Sequence, residues 1–235
     1  MEQGNNAPSD VRRIGNQRLY PSLRDSNYLI LRKRRQHFTQ WVSRINGAKL
    51  RVLDVGGRIQ PYRPLLQGCD EMYIAVDLAI TPLVDVRADA CQLPFPNDAF
   101  DLVFCTQLLE YLPDPELAVK EIHRVLKPGG ICLASVAAFF PSIGDDECWR
   151  LFPRGIRHLL RDFQTTEIMD EGSSISGFLR ACNACADIFV RFEWARALLH
   201  LSVVPLVNLL AIALEALACT NNNQATGNFS VFAQK

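Results

Sequence analysis

Short apolar runs alternate with helical patterns through the middle of the chain. The stretch Lys49–Tyr62 begins with such a run, which leads into Asp54 and the pair Gly56-Gly57. This pattern predicts a buried parallel strand that ends in a tight turn. Further runs predict four more strands: Glu71–Asp77, Val84–Asp89, Phe100–Cys105 and Ile131–Val136.

Helices are predicted between these strands. Tyr62–Leu66 suits a short helix, and Asp114-Pro115 supplies the N-cap and first residue of a longer one. Pro128-Gly129-Gly130 is expected to terminate that longer helix. Strands that alternate with helices predict an α/β fold with a mostly parallel sheet covered on both faces.

The pattern loosens beyond Pro141. It predicts a short helix over Pro153–Arg161, a strand over Thr165–Met169, helices with a kink at Pro205 over Phe178–Cys219, and a closing strand over Asn228–Gln234. The predicted organisation is a flexible tail (1–25), an N-terminal helix that Gly47 stops (26–47), a core (48–140), a lid with a helical substrate region (141–227) and the closing strand (228–235).

The run Leu198–Cys219 is apolar enough to suggest a membrane span. It also contains Asn208 and Glu215, which are seven residues apart and share a narrow polar stripe. A carboxylate in lipid costs at least ~2.5 kcal/mol. A helix packed on the protein is therefore preferred, with an interfacial helix and a true span as alternatives.

Charge is unevenly distributed, although the formal net charge is zero. The chain through Arg51 carries 11 basic and 3 acidic residues, and the remainder carries 14 basic and 22 acidic ones. Basic residues concentrate at Arg32–Arg35 in the predicted N-terminal helix. This basic helix is expected to pack on the core, in preference to contact with an anionic membrane or with RNA, and nucleic acid is the less expected partner of the chain.

Most of the 8 cysteines lie in apolar runs, and no secretory signal precedes them. Buried thiols and a cytoplasmic location, peripheral to a membrane if the chain contacts one, are therefore expected. Cys182 and Cys185 form the only close pair, without the second pair or histidines that a metal site needs. No metal is predicted.

Three polar features at strand ends suit a nucleoside-type ligand. The glycine pair lets the backbone approach the ligand, Asp77 is placed to bind the ribose hydroxyls, and Asp89 lies beside the base. Asp77 follows Asp54 by 23 residues, close to the ~20-residue offset of dinucleotide folds. No G-x-G-x-x-G phosphate loop is present, so a cofactor without phosphates, such as S-adenosylmethionine, fits better.

The segments RVLDVGG, YIAVD and VRADACQLPFPNDAFDLVFCTQLLEYLPDPELAVKEIHRVLKPGG resemble the class I S-adenosylmethionine-dependent methyltransferases. The resemblance implies a Rossmann-like, seven-stranded sheet with an antiparallel last strand. It also implies S-adenosylmethionine as cofactor and methyl transfer, with O-methylation expected, to a small-molecule, glycan or lipid acceptor. The implied cofactor-binding residues are Asp54, Gly56 and Gly57 at the methionine part, Asp77 with Leu78 at the ribose, Asp89 and Ala90 at the adenine, and Cys105, Thr106 and Gln107 under the sulfonium.

The chain departs from this family at two places. Arg58 and Gln60 replace the later glycines of D-x-G-x-G-x-G, and Tyr111 replaces a frequent histidine. A degenerate protein of this fold that serves as a binding or scaffold partner is therefore the alternative.

No catalytic base is assigned from the sequence, because geometry must precede such an assignment. Glu110, Tyr111, His158 and the Asp145-Asp146-Glu147 cluster are candidates. Trp149 and Arg150 are expected to border the acceptor pocket, or else to be a core aromatic residue and a surface arginine. The acceptor is expected to be bulky and amphiphilic, with the protein working near a membrane.

Overall fold

The computed structural model describes residues 7–45, 49–141, 146–218 and 223–235. The predictions for residues 1–6, Gly47, Asp145 and Cys219 lie outside this part of the chain. Within it, the α/β prediction and the seven-stranded sheet are confirmed.

The described strands and helices follow the predicted order, with one helix added near the N-terminus. The strands are β1 (Leu50–Val55), β2 (Asp70–Asp77), β3 (Val86–Arg87), β4 (Phe100–Thr106), β5 (Leu126–Ala137), β6 (Thr165–Asp170) and β7 (Asn228–Gln234). The α-helices are α1 (Pro8–Leu19), α2 (Tyr28–Val42), α3 (Pro115–Val125), α4 (Pro153–Leu159), α5 (Ser174–Phe189) and α6 (Glu193–Leu217), and short 3-10 turns occupy Arg63–Leu66 and Leu109–Tyr111.

The sheet has the order β3-β2-β1-β4-β5-β7-β6. Strands β1 to β5 are parallel, whereas β7 runs antiparallel to both β5 and β6. The antiparallel closing strand is therefore confirmed. In parallel sheets the ligand cleft lies at the carboxyl ends of the strands, so β1, β2 and β4 bring their last residues to one edge.

Strand β5 starts earlier than the sequence pattern predicts. Leu126 pairs with Phe100 and Ile131 pairs with Leu102, so residues 127–130 form a bulge in the ladder. Helix α3 therefore ends at Val125, and the expectation that Pro128-Gly129-Gly130 terminates it is wrong. These residues shape the entry into β5, where Gly129 adopts a left-handed φ of 77°.

Each face of the sheet has its own apolar layer. On one face, Leu53 and Val103 pack with residues of α3 and α4, including Ile122 and Ile156. On the other face, the sheet packs against aromatic residues of α2 and the first 3-10 turn, namely Phe38, Trp41 and Tyr62. Because both faces are covered, the carboxyl edge of the strands is where a ligand can enter.

Residues 8–19 form helix α1, although the sequence pattern predicts a flexible tail there. Pro8 occupies the first turn, and a narrow stripe of Val11, Gly15 and Leu19 is buried. A Cβ atom at Gly15 would collide with the Ile59 carbonyl oxygen, so glycine permits the close approach. Helix α1 therefore packs directly on the loop that follows β1.

Helix α6 is long and apolar, with 25 residues and a mean hydropathy of 2.2. By length and composition it is the one helix of the described chain that could cross a membrane. It buries Val204, Asn208 and Ala211, whereas its leucines project outward: Leu198, Leu201, Leu206, Leu209, Leu210 and Leu217 are 48–77% exposed. The preferred expectation of a packed helix thus holds for a single stripe only.

The basic residues of α2 largely point into the protein. Arg34 is buried and donates from Nε and Nη2 to the Glu171 carboxylate at 2.7 Å each. Arg32 lies 3.7 Å from Glu215, and the Arg35 guanidinium lies over the Tyr20 ring. The three arginines of this segment therefore contact the protein itself and do not form an exposed polybasic face.

Candidate active site

The turn after β1 is fastened to the end of β2. Gly56 has a φ of 78°, a conformation that side-chain-bearing residues rarely adopt. The Gly56 and Gly57 N–H groups both donate to the Val76 carbonyl, at 2.8 and 3.2 Å. Since Asp77 is the next residue, the turn and this carboxylate are brought together as predicted.

The residues predicted for the ribose and adenine line the edge beyond β2 and β3. Asp77 is partly exposed, and its Oδ1 accepts from the Ala79 N–H at 2.8 Å. Leu78, which follows it, is 58% exposed. Asp89 is exposed and accepts from the Cys91 N–H at 2.9 Å, whereas Ala90 is buried. A partly exposed carboxylate beside an exposed apolar side chain fits a ribose with its attached base.

Asp54 is buried within β1 rather than exposed in the cleft. Its Oδ2 accepts a 2.7 Å hydrogen bond from the Tyr73 hydroxyl. Burial raises the pKa of Asp54 from 3.8 to about 7, against the lowering effect of that bond, and the nearby Asp77 raises it further. Asp54 therefore lies beneath the turn, and its pKa depends on the charge of Asp77.

The end of β4 completes the edge. Thr106 and Gln107 are partly exposed, and the Gln107 N–H donates to Ser135 at 2.8 Å. A Cβ on Gly56 would contact the Leu108 side chain at 3.3 Å, so the β4 loop lies against the glycine turn. The Cys105 side chain instead faces the apolar layer under α4, where it lines a small cavity with Leu109 and Ile156. Only the Cys105 backbone can face a cofactor here.

The loop at Arg58 and Gln60 folds without the family's later glycines. Gln60 adopts a left-handed φ of 45°, and its Nε2 donates to Leu83 at 2.6 Å. The Arg58 carbonyl accepts from the Thr81 hydroxyl at 2.8 Å. Side-chain and carbonyl contacts to the loop after β2 therefore hold the turn in place. With Arg58 and Gln60 in place of glycines, the glycine pair is still bonded to Val76, the residue before Asp77.

Glu110 is a buried carboxylate at the same edge. It is 1% exposed, and its Oε2 has no hydrogen-bond partner among the described residues. Burial raises the pKa of Glu110 from 4.5 to about 7, and the charges of Arg34 and Arg150 oppose this effect. A buried acceptor without a partner is costly in a folded protein, so such atoms mark places that a ligand or water completes.

The lid segment after β5 fixes the position of Glu110. The N–H groups of Cys148 and Trp149 donate to the Glu110 carbonyl at 2.8 and 3.1 Å. The Trp149 indole donates to the Leu112 carbonyl at 2.8 Å, and its side chain is 45% exposed. Arg150 pairs with Glu147 at 2.6 Å. Trp149 is thus a half-exposed residue that is hydrogen-bonded to the loop carrying Glu110, and it is not a core residue.

The other candidate bases are less suitable. His158 is exposed on α4, which packs under α3 and away from the glycine turn. Tyr111 is 43% exposed, and burial together with the charges of Glu147 and Glu110 raises its pKa. Asp146 is exposed as well. Glu110 alone among these combines burial with an unpartnered oxygen.

Sequence reasoning missed two buried polar residues near this edge. Asn228, the first residue of β7, is fully buried and donates from Nδ2 to the Gln107 Oε1 at 3.0 Å. Arg180 of α5 is 5% exposed and donates to Asn228. An asparagine that opens an otherwise apolar strand is a weak signal in the sequence. Arg180 lies in an ordinary helical pattern and gives none.

These residues share the carboxyl edge of the sheet in a Rossmann-like fold, where the sequence predicts a nucleoside-type cofactor. Residues 51–134 match the family model described as a methyltransferase domain. The chain is 34% identical over 123 residues to 2-methyl-6-phytyl-1,4-hydroquinone methyltransferase 2, chloroplastic, from Oryza sativa subsp. japonica, covering 45% of this chain and 35% of that protein. It is 28% identical over 153 residues to the ubiquinone biosynthesis O-methyltransferase of Pseudomonas fluorescens (strain SBW25), covering 54% and 65%.

Among solved structures, the chain resembles phosphoethanolamine N-methyltransferase 2 of Haemonchus contortus in complex with S-adenosyl-L-methionine. The TM-score is 0.55 at 18% identity, and the match covers 85% of this chain and 52% of that one. This likeness shows the fold. The chain spans between a third and two thirds of the length of these two curated relatives. Residues 51–134 thus match a methyltransferase domain, and the chain shares the fold of that S-adenosyl-L-methionine-bound structure.

Proposed function

We propose that this protein transfers the methyl group of S-adenosylmethionine to a hydroxyl oxygen of a small, amphiphilic acceptor. The observation that carries the choice of oxygen is Glu110, a buried carboxylate with one unpartnered oxygen at the cofactor edge. A hydroxyl nucleophile loses a proton as it attacks, and a nearby base serves this step. A nitrogen or carbon acceptor would have less need of such a base.

The chain's own residues supply binding and orientation. The Gly56-Gly57 backbone and Asp77 would hold the methionine and ribose parts, and Leu78 and Ala90 would flank the adenine. The bound sulfonium supplies the methyl group, and aligning the acceptor with it can contribute ~7–11 kcal/mol through effective molarity. The protein's task is therefore mainly to position the reactants and to exclude water.

Glu110 would accept the proton of the acceptor hydroxyl at its Oε2. A carboxyl pKa of about 7 lies close to neutral pH, where Brønsted behaviour favours a general base. The Trp149 and Cys148 N–H bonds to the Glu110 carbonyl keep this residue in register with the lid. Closing the lid would thus place the base and exclude water in one movement.

The acceptor class and location are part of the same proposal. The relatives are named for a hydroquinone and for ubiquinone biosynthesis, so a quinol-like small molecule with an apolar tail is the first acceptor to test. A lipid or glycan-bearing molecule remains in the same class. The outward leucines of α6 favour work at a membrane surface, on its cytoplasmic side, whereas the buried α2 arginines give no electrostatic support.

A second candidate is a degenerate protein of this fold that binds a partner without transferring methyl groups. Gln60 favours it, because a non-glycine residue in a left-handed conformation stiffens the turn where the family has glycine. Isothermal calorimetry with S-adenosylmethionine distinguishes the two. Binding supports the enzyme, and no binding to folded protein supports the scaffold.

The activity is tested with S-adenosylmethionine labelled in the methyl group and a panel of quinols, catechols and tailless analogues. Label transfer to an oxygen supports the proposal. Glu110→Gln is expected to lower kcat by 10²–10⁴-fold while the cofactor affinity is preserved. Equal turnover by Glu110→Gln would remove Glu110 from the mechanism, and transfer to nitrogen alone would overturn the acceptor class.

A further inference from the structure

Arg180 is a buried cation without a carboxylate of its own. Its Nε and Nη2 donate to Asn27 Oδ1 at 3.0 and 2.9 Å, and its Nη1 donates to Asn228 Oδ1 at 3.0 Å. The Phe140 ring centroid lies 3.7 Å from the guanidinium carbon. Glu171 is already bound by Arg34 through both oxygens. Within the described chain, Arg180 is thus held by neutral oxygens and an aromatic ring.

The contacts of Arg180 determine which atoms donate and which accept in the hydrogen bonds of Asn228 and Gln107. Arginine only donates, so Asn228 must turn its Oδ1 toward Arg180 and its Nδ2 toward Gln107. Asn228 Nδ2 donates to Gln107 Oε1 at 3.0 Å. The Gln107 amide can then present only its Nε2 elsewhere, where its contact to the Ser135 hydroxyl is a long 3.5 Å. Gln107 is left with N–H groups to donate.

Gln107 directly follows β4, at the edge where the cofactor and the acceptor are proposed to meet. Its backbone is held in a left-handed conformation, with a φ of 51°, by the bond to the Ser135 carbonyl. The following Leu108 lies against Gly56 on the cofactor side. Ser135 and Asn228 belong to β5 and β7, which carry the lid side of the cleft. The Gln107 side chain therefore spans from the cofactor turn toward the lid.

We propose that Arg180 is a positioning residue that, through Asn228, holds the Gln107 amide as a hydrogen-bond donor to the acceptor's oxygen. This inference rests on the proposed function and deepens it. A donor at this point selects acceptors that present a lone-pair oxygen beside the reacting hydroxyl, such as vicinal diols of an arene. An acceptor that offers only a hydrogen-bond donor at this point would face the N–H group of Gln107 without a lone pair to accept from it.

The test uses the full chain labelled with ¹⁵N-glutamine, so that side-chain amide signals are observed. Gln107→Glu identifies the Gln107 signal by its loss. Asn228→Asp keeps an acceptor for Arg180 but removes the donor to Gln107, so the relay is cut without an unpaired cation. Asn183→Ala is the matched control, because it removes a buried amide of α5 that bonds to Asn208 and does not touch Arg180.

Probe affinity is measured in the presence of S-adenosylhomocysteine, with the strongest binder among catechol, hydroquinone and phenol. In the wild type the bound probe is expected to shift the Gln107 amide signal. Asn228→Asp is expected to shift that signal without probe and to weaken probe binding at least tenfold, with S-adenosylhomocysteine affinity changed less than twofold. Asn183→Ala should change neither affinity more than twofold.

The proposal is overturned if Asn228→Asp leaves the Gln107 signal and probe affinity unchanged, or if the bound probe does not move that signal. Equal affinity for phenol and catechol would also overturn the selectivity for an adjacent oxygen. Failure of the chain to bind S-adenosylhomocysteine would instead refute the proposed function. The coupling of Gln107 to Asn228 in the free protein is still measured in that case.

Discussion

The sheet core and helix α6 place their polar and apolar side chains in opposite ways. In the core, β1 and β4 bury apolar residues between helices and keep polar groups for the carboxyl edge. Helix α6 turns its polar residues inward. The Asn208 Nδ2 donates to the carbonyls of Leu23 and Asp25, and Glu215 accepts from the hydroxyls of Ser173 and Ser176.

The outward face of α6 has little polarity left. His200 is occupied by Asp187 and the Arg24 carbonyl, and the Ser202 hydroxyl donates to its own helix at Leu198. A hydroxyl bonded back to the fourth preceding carbonyl is satisfied without water. Exposed apolar patches of this kind mark interaction surfaces. Helix α6 therefore presents apolar side chains to the outside and polar ones to the protein, whereas the core buries its apolar side chains and presents polar ones at the carboxyl edge.

The largest expected effect comes from the ion pair that ties α2 to the sheet. Arg34→Ala leaves Glu171 as an uncompensated buried charge, which should lower the free energy of unfolding by about 3–5 kcal/mol. Urea denaturation measures it. Arg35→Ala, which loses a contact with the Tyr20 ring, is the control and should cost less than about 1 kcal/mol. Equal losses would show that the inward charges do not stabilise the fold.

Asp54 gives the core a pH dependence of known sign. Its pKa is raised to about 7 in the folded protein, from an ordinary 3.8. Its contribution to stability is therefore fully present below about pH 4 and is lost as the pH rises through about 7, by on the order of 4 kcal/mol. Asp54→Asn should flatten the difference between urea midpoints at pH 5 and pH 8. Glu110, raised in the same direction, would retain part of it.

A parallel pH dependence in Asp54→Asn and the wild type would contradict this assignment. Glu71→Gln is the matched control, because this acid is exposed at the opposite end of β2. It should reproduce the wild-type profile.

Asp77 tests whether the polar edge of the core binds the cofactor. Asp77→Ala should weaken S-adenosylmethionine binding by about 1.5–3 kcal/mol, because charge-assisted bonds to the ribose hydroxyls are lost. The unfolding free energy should change little, since Asp77 is partly exposed. Calorimetry on Asp77→Ala and Glu71→Ala decides the matter. Unchanged affinity in a folded Asp77 variant would refute its place at the ribose.

The smallest effect on stability, and the sharpest test of the comparison, lies on α6. Replacing Leu206 and Leu210, which are 66% and 50% exposed, with serine should change the unfolding free energy by less than about 0.5 kcal/mol per site. Val204→Ser, at a fully buried position of the same helix, should destabilise the protein clearly.

The same α6 variants are then tested with vesicles of phosphatidylcholine and phosphatidylglycerol. Wild-type binding should survive high salt, because the contact is apolar rather than electrostatic. The double serine variant should lose it. If high salt abolishes vesicle binding, or if the double serine variant still binds, the membrane contact is made by the basic residues instead of by α6.

The sequence predicted most of the core because buried parallel strands are continuous apolar runs, and β1, β2 and β4 stand close to their predicted limits. The sequence pattern did not predict helix α1, because Gly15 is one of its buried residues and a glycine interrupts the apolar periodicity. The α6 run looks the same whichever face points outward, so its orientation depends on partners far along the chain. Arg180 and Asn228 are likewise joined across the fold, by contacts that no local pattern reports.

Strand β7 lies between β5 and β6 in the sheet, although it follows both of them in the sequence. Strand β6, at the edge of the sheet, joins it through β7, which is made after α5 and α6. During synthesis, the leucine-rich helix emerges while the sheet is still open and β6 has no strand to pair with. Residues 228–234 supply the strand that pairs with both β5 and β6, and they bring Asn228 to Gln107.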